Sequence, residues 1–472
     1  MMFKRESLNP LKFKRKSSVK QMAVKTATAG LLLNMLVLSP IPALAESVQT
    51  PVPATADTTA TPAAAGTPVT IPSVQSLGLN LKSAVLLEPT TGQVLLSLNA
   101  DVPLPPASMT KMMTEYLIAD AVKNGKLSWD QKVTVAENAA EQIGSRIFLA
   151  AGDQHTIEEL YIAMAVGSAN DATVALAETL SGSEQEFVKL MNETAQKMGM
   201  KTAYFINSTG LSRDDMPAKF RPDTDKETVM SAMDAAILAQ HIVTDHPDFS
   251  KYTTIQSYKF RERDSAPMVN YNWMLEANKN IPNFKAYAYP GLDGLKTGHT
   301  SSAGNCFTGT AVRDGMRLIS VVMGANSEAH RFTETKKVLD FGFNNFEVKQ
   351  VVAAKAVIAG HETVPIEKGK KSTVPVVTDA GATFVVPKGT ASPQITSTVQ
   401  INDASTLVAP IKQGTKVGKV TYTYKVDGIG TQQKTVNLIT SENAEKAGWF
   451  KLLFRAIGSF FSDIFSGIKN LF

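Results

Sequence analysis

The chain has 472 residues, of which 43% are hydrophobic and 19% charged, so it is long enough for two or three domains with a substantial core. Its formal net charge is +5, but residues 1–25 hold eight Lys/Arg and one acid, and residues 26–45 hold no charge. The remaining residues carry 40 basic and 42 acidic side chains, so the composition does not indicate a nucleic-acid partner. A single cysteine, Cys306, excludes an internal disulfide.

The first 45 residues predict a secretory signal peptide. A basic start is followed by an apolar run from Ala29 to Leu38 and by the small-residue pattern Ala43-Leu44-Ala45. The run is too short to span a bilayer, which speaks against the alternative of an N-terminal membrane anchor. We expect cleavage after Ala45, and then a flexible Ala/Thr/Pro-rich linker over residues 46–75.

The first ordered element predicted is a β-hairpin. Two segments rich in Val and Leu, residues 84–88 and 93–98, flank the turn sequence Pro-Thr-Thr-Gly. Mixed helical segments follow as far as about residue 245, among them residues 156–165 and 184–198.

A Ser-x-x-Lys motif, Ser108 to Lys111, opens the first predicted helix. Two prolines precede Ser108, and apolar residues spaced three and four apart follow it. Residues three apart share a helical face, so the Lys111 amine can reach the Ser108 hydroxyl, where the helix N-terminus favours negative charge. The pattern also occurs at Ser17 and Ser466, and a helix N-cap is the commoner use of such a serine, so the motif alone leaves both interpretations open.

Two further motifs follow in the chain. Ser168-x-Asn170 lies in a predicted loop between helices, where either residue could instead cap the next helix. Lys296-Thr297-Gly298 lies in the first of three predicted antiparallel strands, at residues 291–300, 305–310 and 317–323. The small Gly298 would let a ligand or another backbone approach this strand closely.

These three motifs, in this order and on a helix, a loop and a strand, resemble the signature of penicillin-binding proteins and serine β-lactamases. The segment from Phe187 to Met200 and the Lys-Thr-Gly-His-Thr context are similar to the low-molecular-mass D-alanyl-D-alanine carboxypeptidases over roughly residues 76–440. The resemblance implies an α+β fold, in which an antiparallel sheet with helices forms a transpeptidase-like catalytic domain over residues 76–348.

Acyl transfer from a peptide needs a nucleophile, a base, an acid for the leaving amine and donors for the oxyanion. We expect Ser108 to attack and Lys111 to act as base, kept neutral by the nearby charge of Lys296. Ser168 would relay the proton to the leaving amine, and Asn170 would orient the substrate and Lys111.

The resemblance also implies a substrate-binding set. The backbone N–H groups of Ser108 and His299 would form the oxyanion hole. The substrate's terminal carboxylate would bind Lys296, Thr297 and Arg331, beside Gly298. For Arg331 a surface salt bridge is the alternative.

No metal and no cofactor is expected. The six histidines lack metal-ligand spacing and no H-E-x-x-H occurs. The absence of G-x-S-x-G argues against an α/β-hydrolase, and no acidic deacylation motif follows Ser168, so β-lactams should act as inhibitors.

The C-terminal part predicts two more units. Residues 349–441 have short Val/Ile/Thr-rich runs broken by prolines, which predicts a small all-β domain that acts as a spacer or packing module. This part resembles the domain that lifts the family's catalytic domain off the membrane. Residues 442–472 predict an amphipathic helix lying in a membrane surface, with docking on the protein's own core as the alternative.

The sequence therefore predicts a serine D-alanyl-D-alanine carboxypeptidase at the outer face of the cytoplasmic membrane or in the cell wall. It would remove the terminal D-alanine of peptidoglycan stem pentapeptides through an acyl-enzyme. The alternatives are a DD-endopeptidase or transpeptidase, and an inactive β-lactam-binding cell-wall module.

Overall fold

A computed structural model describes residues 70–455 and 457 of the chain. The predicted signal peptide, most of the predicted linker and the last fifteen positions of the predicted C-terminal helix lie outside the described residues. The α-helices are α1 (Lys111–Lys123), α2 (Glu137–Ala140), α3 (Ile157–Gly167), α4 (Asn170–Ser181), α5 (Glu184–Met198), α6 (Ala232–Asp245), α7 (Ser250–Thr253) and α8 (Glu328–Asn345). Short 3-10 helices cover Val74–Leu77, Ala107–Thr110, Arg213–Asp215, Ala218–Phe220, Glu276–Asn280 and Ala404–Thr406.

The strands fall into one group before α8 and one group after it. The first group is β1 (Ser83–Glu88), β2 (Gln93–Leu98), β3 (Lys132–Thr134), β4 (Gln154–Thr156), β5 (Ser257–Tyr258), β6 (Met268–Val269), β7 (Leu292–Thr300), β8 (Gly304–Arg313) and β9 (Met316–Ala325). The second group is β10 (Phe346–Val352), β11 (Thr363–Pro365), β12 (Thr373–Thr378), β13 (Ala382–Pro387), β14 (Ile395–Ile401), β15 (Lys416–Val426) and β16 (Gly430–Thr440).

A five-stranded antiparallel sheet forms the centre of the first part. Its strand order is β2-β1-β9-β8-β7, so within the described part of the chain β7 lies at one edge and pairs only with β8. The predicted hairpin of β1 and β2 is confirmed, as are the three antiparallel strands β7, β8 and β9. The sheet carries the Lys-Thr-Gly motif on the edge strand.

Helices cover both faces of this sheet, which explains why every residue of β1 is buried. Successive side chains of a strand point to opposite faces. Val85 and Leu87 belong to the hydrophobic core shared with α1 and α6, whereas Ala84 and Leu86 belong to the core beneath α8. The run of four apolar residues from Ala84 to Leu87 is therefore typical of a strand that is covered on both faces.

The predicted helices at 156–165 and 184–198 correspond to α3 and α5. Thr156 caps α3 with a reciprocal pair of bonds: its hydroxyl accepts from Glu159 N at 3.1 Å, and the Glu159 carboxylate accepts from Thr156 N at 2.8 Å. This capping box fixes the direction of α3, and so the place where its C-terminal end delivers Ser168.

The C-terminal part after α8 is all β, as the sequence predicts. β10 and β13 pair with each other, and the other five strands form a sheet in the order β11-β12-β16-β15-β14 around their own hydrophobic core. Residues 449–455 are helical, and this segment begins next to the loop at 369–371, where Lys451 Nζ donates to Lys370 O and Arg455 Nη1 to Gly369 O.

The side chains of Trp449 and Phe454 are 68% and 69% exposed. The described start of the helix is therefore hydrogen-bonded to the loop at 369–371 while these apolar side chains are exposed, and both the membrane contact and its alternative, docking on the protein itself, stay predictions. Within the part of the chain that the structure describes, no helix has the length and apolar character needed to cross a bilayer.

Candidate active site

A cavity of about 420 Å³ opens where the edge strand β7 meets the turn before α1 and the junction between α3 and α4. It is lined by Ser108, Ser145, Ser168, Tyr271, Thr297, Gly298, His299, Asn305, Glu328 and Arg331. The three motifs, which are up to 190 positions apart in the chain, thus meet around one space.

Ser108 lies in the 3-10 helix Ala107–Thr110, and α1 begins only at Lys111. The prediction that a regular α-helix starts at Ser108 is therefore wrong by three residues, because α1 starts at Lys111. Ser108 does not cap a helix: the N-cap positions are Pro106 for the 3-10 helix and Thr110 for α1. The serine is thus left free of a capping role, with its hydroxyl at the cavity.

Lys111 lies beneath this hydroxyl and is fully buried. Its Nζ is 3.0 Å from Ser108 Oγ and donates to Thr209 O at 2.8 Å. Burial, and next the charge of Lys296, hold the pKa of Lys111 well below its ordinary value, while Glu115 and Asp171 oppose this. A neutral amine at hydrogen-bond distance from a hydroxyl can take its proton.

Ser168 forms a second hydroxyl–amine pair with Lys296. It is the C-cap of α3 in the left-handed conformation (φ 54°), and its Oγ accepts a hydrogen bond from Lys296 Nζ at 2.9 Å. Burial first, and then the charge of Arg331, lower the pKa of Lys296 to about 8, while Glu115 opposes the shift. Lys296 therefore changes charge close to neutral pH.

Both hydroxyls are held near strained backbone. Ala107, next to Ser108, has φ 50°, and Ser168 itself has φ 54°. Residues other than glycine in this region cost on the order of 1–3 kcal/mol each and persist where the surrounding packing fixes them. The packing thus determines where the two hydroxyls point.

Asn170 lies behind the cavity wall. It is the first residue of α4, it is buried, and its Nδ2 donates to Ile143 O at 2.6 Å. Its backbone N–H donates to Ser145 O at 2.7 Å. Asn170 therefore holds the segment that places Ser145 in the cavity and is not itself among the lining residues.

The β7 strand approaches the Ser108 turn very closely. A Cβ atom at Gly298 would lie 2.5 Å from Pro106 O and 3.2 Å from Met109 N, so only glycine fits there. On either side of Gly298, Thr297 and His299 line the cavity. The expectation of a close approach at Gly298 holds, and the neighbour is the backbone that carries the serine.

Arg331, on α8, is 2% exposed, and it forms an ion pair with the half-exposed Glu328, so the salt bridge weighed as its alternative is present beside the cavity. Its Nη2 is paired with Glu328 Oε1 at 2.9 Å and its Nη1 donates to Gly298 O at 3.3 Å. Its buried Nε has no hydrogen-bond partner among the described residues. A buried guanidinium with a free donor beside the cavity suits an anionic ligand.

Several lining residues were not predicted from the sequence. Tyr271, Glu328 and Ser145 come from segments with no motif of their own, so no local pattern could have revealed them. Asn305 could have been found, because it faces His299 across the predicted β7–β8 pair. In residues 70–455, no three His, Cys, Asp or Glu side chains are grouped so that they could hold a metal ion.

Comparison with known proteins identifies the family. The family model described as D-alanyl-D-alanine carboxypeptidase matches residues 70–327, and that of the penicillin-binding protein 5 C-terminal domain matches residues 346–446. The D-alanyl-D-alanine carboxypeptidase DacF of Bacillus subtilis is 35% identical over 377 residues, which are 80% of this chain and 89% of that protein. DacC of Escherichia coli is 31% identical over 384 residues, 80% of this chain and 88% of that one.

Solved structures agree with this assignment. Penicillin-binding protein 5 of Haemophilus influenzae has a TM-score of 0.62 at 31% identity, covering 78% of this chain and 98% of that chain. A peptidoglycan synthesis regulatory factor (PBP3) from Streptococcus pneumoniae has a TM-score of 0.65 at 29% identity. The match covers 78% of this chain and 100% of that chain. The resemblance found in the motifs is therefore confirmed, and the chain belongs to the D-alanyl-D-alanine carboxypeptidase family.

Proposed function

We propose that this protein is a serine D-alanyl-D-alanine carboxypeptidase that removes the terminal D-alanine from peptidoglycan stem pentapeptides. The observation that carries the proposal is the pair formed by Ser108 and Lys111, with 3.0 Å between Oγ and Nζ. The lowered pKa of Lys111 makes the amine available as a base.

The reaction begins with attack on the carbonyl carbon of the penultimate D-alanine. Neutral Lys111 takes the proton of Ser108 as the Oγ–C bond forms, and the carbonyl oxygen becomes an oxyanion held by the backbone N–H groups of Ser108 and His299. The C–N bond then breaks, Ser168 relays the proton from Lys111 to the leaving amine, and D-alanine departs. Water next attacks the acyl carbon and gives a proton to Lys111, the bond from that carbon to Ser108 Oγ breaks, and Oγ takes the proton from Lys111. The shortened peptide leaves with a new carboxyl group.

Two neighbouring cations would bind the substrate's free carboxylate: Arg331, which lines the cavity, and the buried Lys296, whose ammonium donates to the hydroxyl of the lining residue Ser168. Lys296 and Arg331 lie close enough for the charge of Arg331 to lower the pKa of Lys296. The Thr297 hydroxyl and the free Nε of Arg331 supply hydrogen bonds. Asn170 contributes by holding the segment of Ile143 and Ser145 in place.

The same nucleophile would react with β-lactams, in keeping with the name of the similar penicillin-binding protein 5 of Haemophilus influenzae. The test is mass spectrometry of the protein after penicillin treatment, together with product analysis on a stem pentapeptide. We expect an adduct on the peptide containing Ser108 and release of one D-alanine, with both lost in Ser108→Ala. Ser145→Ala, a serine in the same cavity without a lysine partner, is the matched control and should keep the adduct.

Product analysis also separates the alternatives. Cleavage of a cross-linked dimer or transfer to an amine would indicate an endopeptidase or transpeptidase. An adduct without D-alanine release would indicate an inactive penicillin-binding module. If the protein forms no adduct and releases no D-alanine, the proposed nucleophile is refuted.

We further propose that the chain is exported and held at a membrane surface. The pattern of residues 1–45 and the exposed apolar side chains of residues 449–457 support this. The proposed domain boundaries are residues 76–348 for the catalytic domain and residues 349–441 for the all-β domain. The terminal helix would contact the lipid.

A further inference from the structure

A buried carboxyl group, Glu115, lies next to the two active-site lysines and has no part in the reaction described above. Glu115 follows Lys111 by one turn of α1, a spacing that puts two Cβ atoms about 5–6 Å apart. Its side chain is 3% exposed, and its Oε1 has no hydrogen-bond partner among the described residues. The residue thus holds a desolvated, incompletely paired carboxyl one helical turn from Lys111.

The charge of Glu115 reaches both lysines. It raises the pKa of Lys111 and of Lys296, opposing the effect of burial on each. In return, the two lysines oppose the effect of burial on Glu115, which raises the pKa of that carboxyl to about 7. The three groups therefore form one electrostatic cluster beneath the Ser108 and Ser168 hydroxyls.

The other ionisable groups packed around α1 have partners of their own. Tyr161 of α3 donates to the backbone carbonyl of Glu115 rather than to its carboxylate. Asp171 of α4 accepts from the N–H groups of Ile147 and Leu149, Glu184 of α5 accepts from Ser208 and Asn138, and in α6 Asp234 accepts from Thr202 and Asp245 binds His241. Of these acids, Glu115 is the one whose charge acts on both lysines.

We propose that Glu115 is a positioning residue that offsets one of the two ammonium charges buried under the active site, so that Lys111 can accept the Ser108 proton while Lys296 stays cationic. The inference rests on the proposed function. When the proton moves from Ser108 Oγ to Lys111 Nζ, the two lysines together carry a charge of +2 away from water, which is unfavourable. Above its pKa of about 7, the Glu115 carboxylate reduces the charge of the cluster to +1 until Lys111 returns the proton.

Removing the negative charge lowers the pKa of both lysines. Lys111 must be neutral to act as base, so the rising limb of the pH profile moves to lower pH. Lys296 must be cationic to bind the carboxylate, so the falling limb also moves to lower pH. A role in packing alone would lower the rate at every pH and leave both limbs in place.

The experiment measures kcat/KM against pH for D-alanine release from an acyl-D-alanyl-D-alanine peptide by the full chain. We expect Glu115→Gln to shift both limbs to lower pH by about one to two units, the order of magnitude for loss of one nearby charge in a partly polarisable interior. Glu115→Asp should keep both limbs close to those of the wild type. Glu178→Gln is the matched control, because Glu178 is half-buried on α4 and its charge does not shift either lysine.

Limbs that stay at the wild-type pH in Glu115→Gln would overturn the inference and leave the proposed function standing. A wild-type protein that releases no D-alanine would instead refute the proposed function. Glu115→Met provides a second neutral variant that leaves no buried polar group without a partner. If the Gln variant does not fold, the Met variant must show the same shift for the inference to hold.

Discussion

Gly298 lies so close to Pro106 that a Cβ atom at position 298 would be 2.5 Å from the Pro106 carbonyl oxygen. Through this contact the edge strand β7 is packed against the turn that carries Ser108. The distance between Ser108 and the residues that flank Gly298 therefore depends on position 298 being a glycine, which has no side chain.

The first prediction concerns this contact. Gly298→Ala should reduce the rate of acylation by penicillin about 10²-fold, since a displacement of about 1 Å in an active site has effects of that size. The measurement is the rate of labelling by a fluorescent penicillin. Gly448→Ala is the control, because a Cβ there would meet nothing within 4 Å, and it should label at the wild-type rate. Equal rates in the two variants would contradict the close fit.

The second prediction is the pH dependence of the wild-type enzyme. The folded pKa of Lys296 is about 8, and binding of a carboxylate needs the cation, so kcat/KM should fall as the pH rises through about 8. Lys111 must lose its proton, so kcat/KM should rise with pH through its lowered pKa. A pH titration of D-alanine release checks both limbs. A profile that keeps rising beyond pH 10 would rule out a cationic Lys296 as a requirement.

The third prediction separates Arg331 from its ion-pair partner. Arg331→Ala should lower kcat/KM about 10- to 100-fold, mainly through a higher KM, because hydrogen bonds to charged groups are worth about 1.5–3 kcal/mol. Glu328→Gln leaves the guanidinium in place and removes only a half-exposed pair, so its effect should stay within about fivefold. Steady-state kinetics on a pentapeptide gives both values. Equal losses in the two variants would mean that the ion pair, and not the guanidinium, is what matters.

The fourth prediction tests the terminal helix. Replacing Leu453 and Phe454 by Ser should weaken sedimentation of the protein with vesicles of anionic lipid at least tenfold, since their apolar surface would no longer enter the lipid. The rate of D-alanine release should not change. Val357→Ser, which removes another exposed apolar side chain, is the control. Unchanged sedimentation of the double variant would refute the membrane contact.

Local patterns accounted for much of the fold. The hairpin of β1 and β2 and the strands β7 to β9 follow from β-prone runs bounded by turn residues. The helix start at Ser108 was placed three residues early, because residues 107–110 form a 3-10 turn whose packing against β7 is a long-range interaction. The helix propensities of neighbouring residues carry no information about such a long-range contact.

Most of the candidate site that was predicted is marked by a motif, whereas Arg331 came from the family resemblance alone. Ser108, Ser168 and Thr297 were found because each lies in a short pattern, and the structure places them around one cavity. Tyr271 and Glu328 come from parts of the chain whose proximity depends on the tertiary fold. Glu115 did leave a signal, an acidic residue flanked by the apolar runs Met112–Met113 and Leu117–Ile118 and one turn from a lysine.

The position of β7 at the end of its sheet has a consequence for solubility as well as for catalysis. Unpaired strand edges are where copies of a protein aggregate by pairing with one another. Here the turn at Pro106 lies against this edge, and the cavity gives access to it beside Thr297 and His299. The close packing of this turn at Gly298 therefore limits pairing of β7 with the sheet edge of a second copy of the protein.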